Sequence, residues 1–132
     1  MKTRSMLILG LSMTLGWLGV ATAGVVIISP LLHFDPNRQD VLCMALNVSS
    51  RPLDVTLQVL DSVGRPQGGA RTEPVLPPQH MANSGVGLVI LHDRFATCEV
   101  TSQAGTRGDL LVTLCTTDVP NNRACVVAVT AQ

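Results

Sequence analysis

Four cysteines are the residues of this sequence whose chemistry is easiest to interpret. They are Cys43, Cys98, Cys115 and Cys125. An even number of cysteines in an exported chain predicts two disulfides, although four cysteines allow three pairings. We favour Cys43–Cys98, which would join two distant strands, and Cys115–Cys125, which would close the loop between two adjacent ones. No two cysteines form a C-x-x-C motif, so neither a thiolate metal site nor a redox-active pair is expected.

Three histidines are the remaining candidates for metal ligands. His33 lies near Asp35, His92 is followed by Asp93, and His80 lies in the segment Pro78-Gln79-His80-Met81. With a methionine nearby, such a group could bind copper or zinc if the fold gathered it. No spacing such as H-x-x-x-H places two of these histidines on one element, so each is interpreted as a solvated loop residue. No metal site is predicted.

Residues for acyl transfer, glycoside hydrolysis or phosphate binding do not form a recognisable motif. Ser84-Gly85 is not part of a G-x-S-x-G turn, and a serine nucleophile also needs an oriented base. Glu73 and Glu99 are the carboxylates considered for glycoside chemistry, but both are expected on exposed strand faces, and aromatic side chains that would stack on a sugar are missing. The glycine-rich segments lack the strand-to-helix context of a phosphate loop. The sequence therefore predicts no catalytic residue, no cofactor and a protein that is not an enzyme.

The N-terminal segment has the layout of a secretory signal peptide. Lys2 and Arg4 precede an apolar run from Met6 to Val20, and Ala21-Thr22-Ala23 has small residues at the positions that a signal peptidase recognises. This apolar run is shorter than the roughly 20 residues that span a bilayer. We expect a signal peptide over residues 1–23, export to the periplasm or the extracellular space, and no transmembrane segment after cleavage.

The mature chain, expected to be one domain over residues 24–132, has a weak and dispersed charge. Its seven arginines and nine acidic residues give a formal net charge of −2, which argues against nucleic acid or an anionic membrane as a partner. Phe34 and Phe95 are the only Phe, Tyr or Trp residues that it retains, and both are expected in the core. An interface would therefore have to use aliphatic side chains, arginine or backbone groups rather than aromatic anchors.

Apolar residues alternate with a period of two along most of the mature chain, which predicts an all-β fold. The run from Leu53 to Val59 alternates strictly, whereas Val41 to Val48 is apolar on both faces, as in a central strand. The segment from Ser62 to Gly69 is expected to be a loop. Further strands are expected at residues 25–28, 71–75, 86–91, 97–101, 110–115 and 125–129. Seven to eight short strands with frequent turns are typical of an immunoglobulin-like antiparallel β-sandwich, with a closed barrel as the alternative.

One segment carries a resemblance to known domains. Leu42–Pro52 (LCMALNVSSRP), followed by the alternating strand to Asp61, is similar to the second and third strands of bacterial immunoglobulin/fibronectin-like domains. It also resembles short exported bacterial proteins with such a β-sandwich. This resemblance implies the fold and no activity, and it has no catalytic or binding residues to transfer. The chain departs from true immunoglobulin domains because their Cys…Trp…Cys signature is absent.

Two functions are compatible with these observations. The first is a non-enzymatic interaction or structural module of the cell envelope or extracellular space, which would hold a protein partner through a sheet edge or through loops. The second is a periplasmic protein that binds a metal or a small ligand near His33, His80 and His92. We favour the first, because no catalytic motif is found. The identity of a partner and the oligomeric state are not predicted by the sequence.

Overall fold

The structure is a computed structural model that describes residues 24–86, 94–118 and 125–131. The predicted signal peptide over residues 1–23 lies outside the described residues. The described part of the chain forms nine strands and a single-turn 3-10 helix, Arg107–Asp109. The strands are β1 (Val25–Ile28), β2 (Leu32–His33), β3 (Gln39–Asn47), β4 (Leu53–Asp61), β5 (Pro66–Leu76), β6 (Met81–Val86), β7 (Phe95–Ser102), β8 (Leu110–Asp118) and β9 (Cys125–Ala131).

The nine strands form two antiparallel sheets that pack face to face. The first sheet, called the five-stranded sheet, has the order β1-β7-β4-β5, and the short β2 pairs with β7 beyond the end of β1. The second, called the four-stranded sheet, has the order β6-β3-β8-β9. No pairing joins the two sheets among the described residues, which is the arrangement of a β-sandwich rather than of a closed barrel. The predicted all-β sandwich is thus confirmed at the level of architecture.

The core lies between the sheets because alternate residues of each long strand point inward. In β4, the inward residues from Leu53 to Val59 are fully buried, while Thr56 and Gln58 between them are only half-buried. In β3, Val41, Cys43 and Ala45 are buried in the same way. Each fully buried Val or Leu side chain of these strands stabilises the fold by roughly 1.5–3 kcal/mol relative to an exposed one.

The two phenylalanines have different environments, and the expectation that both lie in the core is wrong for Phe95. Phe34 is 1% exposed, but Phe95 is 41% exposed. Phe95 is the first residue of β7 and pairs with His33 of the two-residue strand β2, so none of the long strands that the structure describes covers it. Its ring packs edge-to-face against the His33 ring, with the centroids 5.1 Å apart.

Strand β5 is longer than predicted, because residues 66–69 belong to the strand and only residues 62–65 form the turn after β4. In that turn the Asp61 backbone N–H donates to the Arg65 carbonyl at 3.0 Å, and Gly64 adopts a φ of +80°. Gly68 and Gly69 suggested a loop, yet they lie where β5 bulges against β4 between the pairs formed by Leu57 and Val59. Glycine is common at such bulges as well as in turns, and the local sequence does not separate the two cases.

Both favoured cysteine pairs are at disulfide distance. Cys43 of β3 and Cys98 of β7 have their Cα atoms 5.3 Å apart, and this bridge crosses the buried core between the two sheets. Cys115 of β8 and Cys125 of β9 have their Cα atoms 5.4 Å apart, and this bridge joins neighbouring strands. The described residues contain no further, unpaired cysteine.

Candidate functional site

The histidines proposed as metal ligands are not brought together. His80 lies next to the end of β3, where its carbonyl oxygen accepts a hydrogen bond from the Asn47 backbone N–H at 3.0 Å. His33 pairs with Phe95 at the start of β7, and β7 runs from there towards the end of the sandwich that holds Asn47. His33 and His80 are therefore at opposite ends, while His92 lies outside the described residues. In the described part of the chain, no group of three or more His, Cys, Asp or Glu side chains could hold a metal ion.

The residues considered for enzymatic chemistry are also dispersed. Glu73 pairs with Val55, whereas Glu99 pairs with Gln58, so the two glutamates lie on opposite faces of the five-stranded sheet. Ser84 is buried in β6 opposite Cys43, where its hydroxyl faces the core rather than a cleft. These positions do not form a pair of carboxylates or a nucleophile beside a base, which are the arrangements that the two chemistries require.

Two well-organised aspartates, Asp54 and Asp109, bind backbone N–H groups of the loop that follows β7. Asp54 accepts hydrogen bonds from the backbone N–H groups of Gln103, at 2.8 Å, and Ala104, at 2.9 Å. The Gln103 bond is the main reason that the pKa of Asp54 is lowered, with burial acting in the opposite direction. Asp109 accepts from the Thr106 backbone N–H at 2.8 Å, and this bond is the main cause of its lowered pKa. A carboxylate whose lone pairs are used by its own chain stabilises that loop and is not set up to bind a ligand.

The buried Asn47 ties together the loops at the same end of the sandwich. Its side-chain Nδ2 donates to the carbonyl oxygens of Arg51, at 2.8 Å, and Leu76, at 2.9 Å. Its Oδ1 accepts from the Ser49 backbone N–H at 2.9 Å and from the Ser49 hydroxyl at 2.7 Å. Because both ends of the amide are satisfied inside the protein, Asn47 is a structural residue that holds the turn between β3 and β4.

The outer face of the four-stranded sheet, which points away from the core, carries apolar side chains. Leu42, Met44 and Leu46 of β3 point away from the core and are half-buried by their neighbours on the sheet. Leu46 lies between Met81 of β6 and Leu111 of β8, and Met81 is 55% exposed. We call these five side chains the apolar outer face.

The cross-strand neighbours of the apolar outer face on β6 and β8 are uncharged, and Asp40 borders the face one row beyond Leu42. Met44 lies between Asn83 and Thr113, and Leu42 lies between Gly85 and Cys115. The position of a Gly85 Cβ would be 3.5 Å from Leu42 Cδ1, so Leu42 lies against the surface that Gly85 leaves open. Across these three rows of paired residues on β6, β3 and β8, no Asp, Glu, Lys or Arg side chain is present.

The outer face of the five-stranded sheet has the opposite character. Its central positions are Thr56, Gln58, Glu99 and Thr101, all half-buried. Thr56 Oγ1 and Thr72 Oγ1 form a hydrogen bond of 3.0 Å across β4 and β5. This face is a normal solvated surface of a sandwich, in which polar outward residues alternate with apolar inward ones. The two faces of the molecule therefore differ, and the four-stranded sheet presents the unusual one.

Sequence reasoning identified the key segment but missed its consequence. The run from Val41 to Val48 was interpreted as a central strand because it is apolar on both faces. β3 is indeed a central strand, but its second face is not covered by any element in residues 24–86, 94–118 or 125–131. The signal was the outward set formed by Leu42, Met44 and Leu46, which an exposed strand face would normally fill with polar residues.

In the part of the chain that the structure describes, no helix has the length and apolar character needed to cross a membrane.

Comparisons of the chain with protein-family models, with curated proteins and with solved structures give no match.

Proposed function

We propose that this protein is a non-enzymatic interaction module that holds a protein partner against its apolar outer face. The observation that carries the proposal is the uncharged set formed by Leu42, Met44, Leu46, Met81 and Leu111 on the outside of the four-stranded sheet. Contiguous apolar side chains on the outside of a domain mark interaction sites, because leaving them in water forgoes the free energy of their burial.

The chemistry of the apolar outer face restricts the kind of partner. Burial of an uncharged surface requires no desolvation of charge, so the matching surface should also be aliphatic and uncharged at its centre. Two of the five side chains, Met44 and Met81, are methionines, whose flexible thioethers adapt to an irregular surface. We therefore propose a folded protein with an aliphatic patch as the partner, rather than a sugar, a nucleic acid or a metal ion.

The module is proposed to work outside the cytoplasm, in the periplasm or secreted. Two disulfide pairs support this location, because cytosolic thiols are normally kept reduced. The signal peptide predicted for residues 1–23 supports it independently. An intact mass of the protein isolated from cells that express the full chain tests this part of the proposal: cleavage after Ala23 should leave Gly24 as the first residue.

An immunoglobulin-like arrangement is proposed for the sandwich. The bridge between Cys43 and Cys98 supports this assignment, because it joins the two facing sheets through the core as the conserved bridge of antibody domains does. Antibody domains pack a tryptophan against that bridge, whereas this core has aliphatic side chains and Phe34. An experimental structure with the complete strand order, including residues 87–93 and 119–124, is the test of this assignment.

Replacement of Met44 by lysine is the first test of the interaction. Met44 lies in the middle row of the apolar outer face, and its side chain is only half-buried, so lysine should be tolerated in the free protein. In a complex the same charge would be buried without a partner. Gln58→Lys is the matched control, because Gln58 is a half-buried outward residue of β4, beside Glu99 on the other sheet.

The measurement is cross-linking and affinity capture from an envelope fraction, followed by titration of the captured protein in purified form. We expect Met44→Lys to weaken binding at least about tenfold, since burying an unpaired charge costs more than ~1.4 kcal/mol. Gln58→Lys should bind like the wild type, and both variants should melt close to it. Binding that is unchanged in Met44→Lys, or lost equally in both variants, would contradict the proposed surface.

A further inference from the structure

Among the strands that the structure describes, β1 is an outer strand of the five-stranded sheet with a neighbour on one side only. Val25, Val26, Ile27 and Ile28 pair with Ser102, Thr101, Val100 and Glu99 of β7, and no other described strand pairs with β1. Just beyond it, the Ser29 backbone N–H donates to the Cys98 carbonyl at 2.9 Å. By the alternation of an antiparallel ladder, Val25 and Ile27 then point their backbone groups at β7, while those of Val26 and Ile28 point outwards.

The side chains of the same two residues are also exposed. Val26 is 47% exposed and Ile28 is 54% exposed on the outer face, whereas Ile27 between them is in the core. Val26 and Ile28 thus combine outward-directed N–H and C=O groups with β-branched apolar side chains. This combination is what an added strand recognises, with backbone hydrogen bonds supplying attraction and alternate side chains supplying selectivity.

Strand β1 is short, but it lacks the prolines, bulges and charged side chains that protect many sheet edges. The other outer strand of the same sheet, β5, contains Pro66, Pro74, a glycine bulge and the ion pair between Arg71 and Glu73. Prolines, bulges and charges are the devices by which native proteins prevent edge-to-edge pairing. The VVII sequence of β1 has none of them. The β5 edge of the sheet is therefore protected against pairing with another strand, whereas the β1 edge is able to pair.

We propose that β1 pairs in antiparallel orientation with β1 of a second copy of this chain, with the two-fold axis at Ile27. This register places Val26 opposite the Ile28 of the second copy, and Ile28 opposite its Val26. Each of these pairs exchanges two backbone hydrogen bonds, so all the outward N–H and C=O groups of Val26 and Ile28 are satisfied. The two five-stranded sheets would become one continuous sheet across the dimer axis.

The register also creates favourable side-chain pairs and no opposed charges. On the outer face, each Val26 would contact the Ile28 of the second copy, and aliphatic β-branched cross-strand pairs stabilise sheets. Glu99, the nearest charged residue in the same rows, lies one strand further in, beside Ile28. The two copies of Glu99 are therefore separated by the two β1 strands. A second copy thus fits this edge without desolvation of charge.

The length of the pairing defines the strength of the dimer. Pro30 has no N–H and ends the ladder two residues after Ile28, so each chain contributes only about one four-residue strand. Such a contact is smaller than the ~1,600 Å² of a standard stable interface. The dimer should accordingly be reversible, with its fraction rising with protein concentration.

The test is sedimentation velocity of the purified protein and two double variants over a wide concentration range. Val26→Lys with Ile28→Lys places lysine opposite lysine in the proposed register. Val26→Glu with Ile28→Lys places glutamate opposite lysine while introducing the same number of charged side chains. We expect the wild type to dimerise, the Lys/Lys variant to dissociate with at least a tenfold higher dissociation constant, and the Glu/Lys variant to retain the dimer at low salt.

Val63→Lys is the control for an added exposed charge, because Val63 lies in the turn between β4 and β5, away from β1. It should dimerise like the wild type.

A wild type that remains monomeric at every concentration, or a dimer that the Lys/Lys variant retains, would overturn the pairing. Dissociation by Met44→Lys instead would also overturn it and would identify the apolar outer face as the contact between copies. Loss of partner capture by Met44→Lys with an intact dimer separates the two proposals, since the β1 pairing does not rest on the proposed function.

Discussion

Single polar residues hold the turns of this sandwich, and Asp61 is a nearly enclosed carboxylate among them. Its side chain is nearly inaccessible at the end of β4, and it accepts hydrogen bonds from the backbone N–H groups of Val63, at 3.0 Å, and Arg65, at 2.8 Å. The Arg65 guanidinium Nε donates to the other carboxylate oxygen at 2.9 Å. The Arg65 backbone bond is the main reason that the pKa of Asp61 is lowered, burial opposes it, and the Arg65 side chain adds to the lowering.

Replacement of Asp61 by asparagine should lower the melting temperature at pH 7, and the difference from the wild type should shrink in acid. The folded carboxyl has a lower pKa than the unfolded one, so its contribution to stability is complete above the unfolded value of about 3.9. That contribution is lost as the pH falls through the lowered folded value. Thermal melts of both proteins between pH 7 and pH 3 check the prediction.

Glu73→Gln is the matched control for this pH dependence. Glu73 forms only a long, solvent-exposed contact of 3.8 Å with Arg71, and such surface pairs contribute little. The melting temperature of the Glu73→Gln variant should equal that of the wild type at pH 7 and at pH 3. A deficit of Asp61→Asn that stays constant from pH 7 to pH 3 would show that the carboxylate charge is not what stabilises the turn.

Whole strands were predicted well where they alternate and less well where glycine or short length weakens the pattern. β4 follows from its alternation, because each apolar residue between Leu53 and Val59 faces the core. β2, with two residues, has no pattern to detect and was missed. β5 was predicted too short because glycine indicates a turn and a bulge equally well, and only pairing with β4 distinguishes the two.

Two glycines of different elements should respond in opposite ways to alanine. Gly64 has a φ of +80° in the turn before β5, where an L side chain is strained, so Gly64→Ala should lower the free energy of unfolding by about 1–2 kcal/mol. Gly85 lies in β6 with an open Cβ position 3.5 Å from Leu42 Cδ1, an ordinary contact. Gly85→Ala should therefore be neutral or stabilising by up to about 1 kcal/mol.

Urea unfolding of the wild type and the two glycine variants, with equal m-values, measures these effects. Each glycine serves as the control for the other, because both substitutions add the same single methyl group. A Gly85→Ala variant that is the more destabilised of the two would contradict the position of β6 against β3.

For the whole molecule, the two disulfides should contribute unequally to stability. The Cys43–Cys98 bridge closes a sequence separation of 55 residues, and the Cys115–Cys125 bridge closes one of 10. In the chain-entropy model these closures stabilise by about 4 and about 3 kcal/mol respectively. The first bridge also joins the two sheets, while the second reinforces β8 and β9, which backbone hydrogen bonds already join.

Double replacement of Cys43 and Cys98 by alanine should accordingly destabilise the protein more than double replacement of Cys115 and Cys125. Chemical unfolding of both variants under non-reducing conditions measures the difference. Addition of a reductant to the wild type should lower the melting temperature substantially, because both closures are lost. A melting temperature unchanged by reductant would mean that the thiols are free in the isolated protein.

The candidate surfaces depend on the arrangement of the whole molecule and could not be located from the sequence. A solvated histidine and a metal ligand look alike in one dimension, and only the placement of His33 and His80 at opposite ends separates them. The apolar run through Met44 indicated a central strand, but whether another layer covers its second face depends on the number of layers in the fold. The absence of prolines, bulges and charges in β1 matters only because β1 is an outer strand of the described part of the sheet.

The sequence by itself determined the all-β class and the core face of the main strands. These features are encoded locally, since alternation with a period of two selects one face of a strand whatever its neighbours are. Within the described residues, tertiary structure alone decided the strand order, which cysteines come within disulfide distance, the exposure of Phe95, the uncovered side of β3 and the free edge of β1. Each of these features depends on which distant segments become neighbours. Backbone hydrogen bonds between strands are nearly independent of side-chain identity, so the packing of the whole chain decides which strands pair.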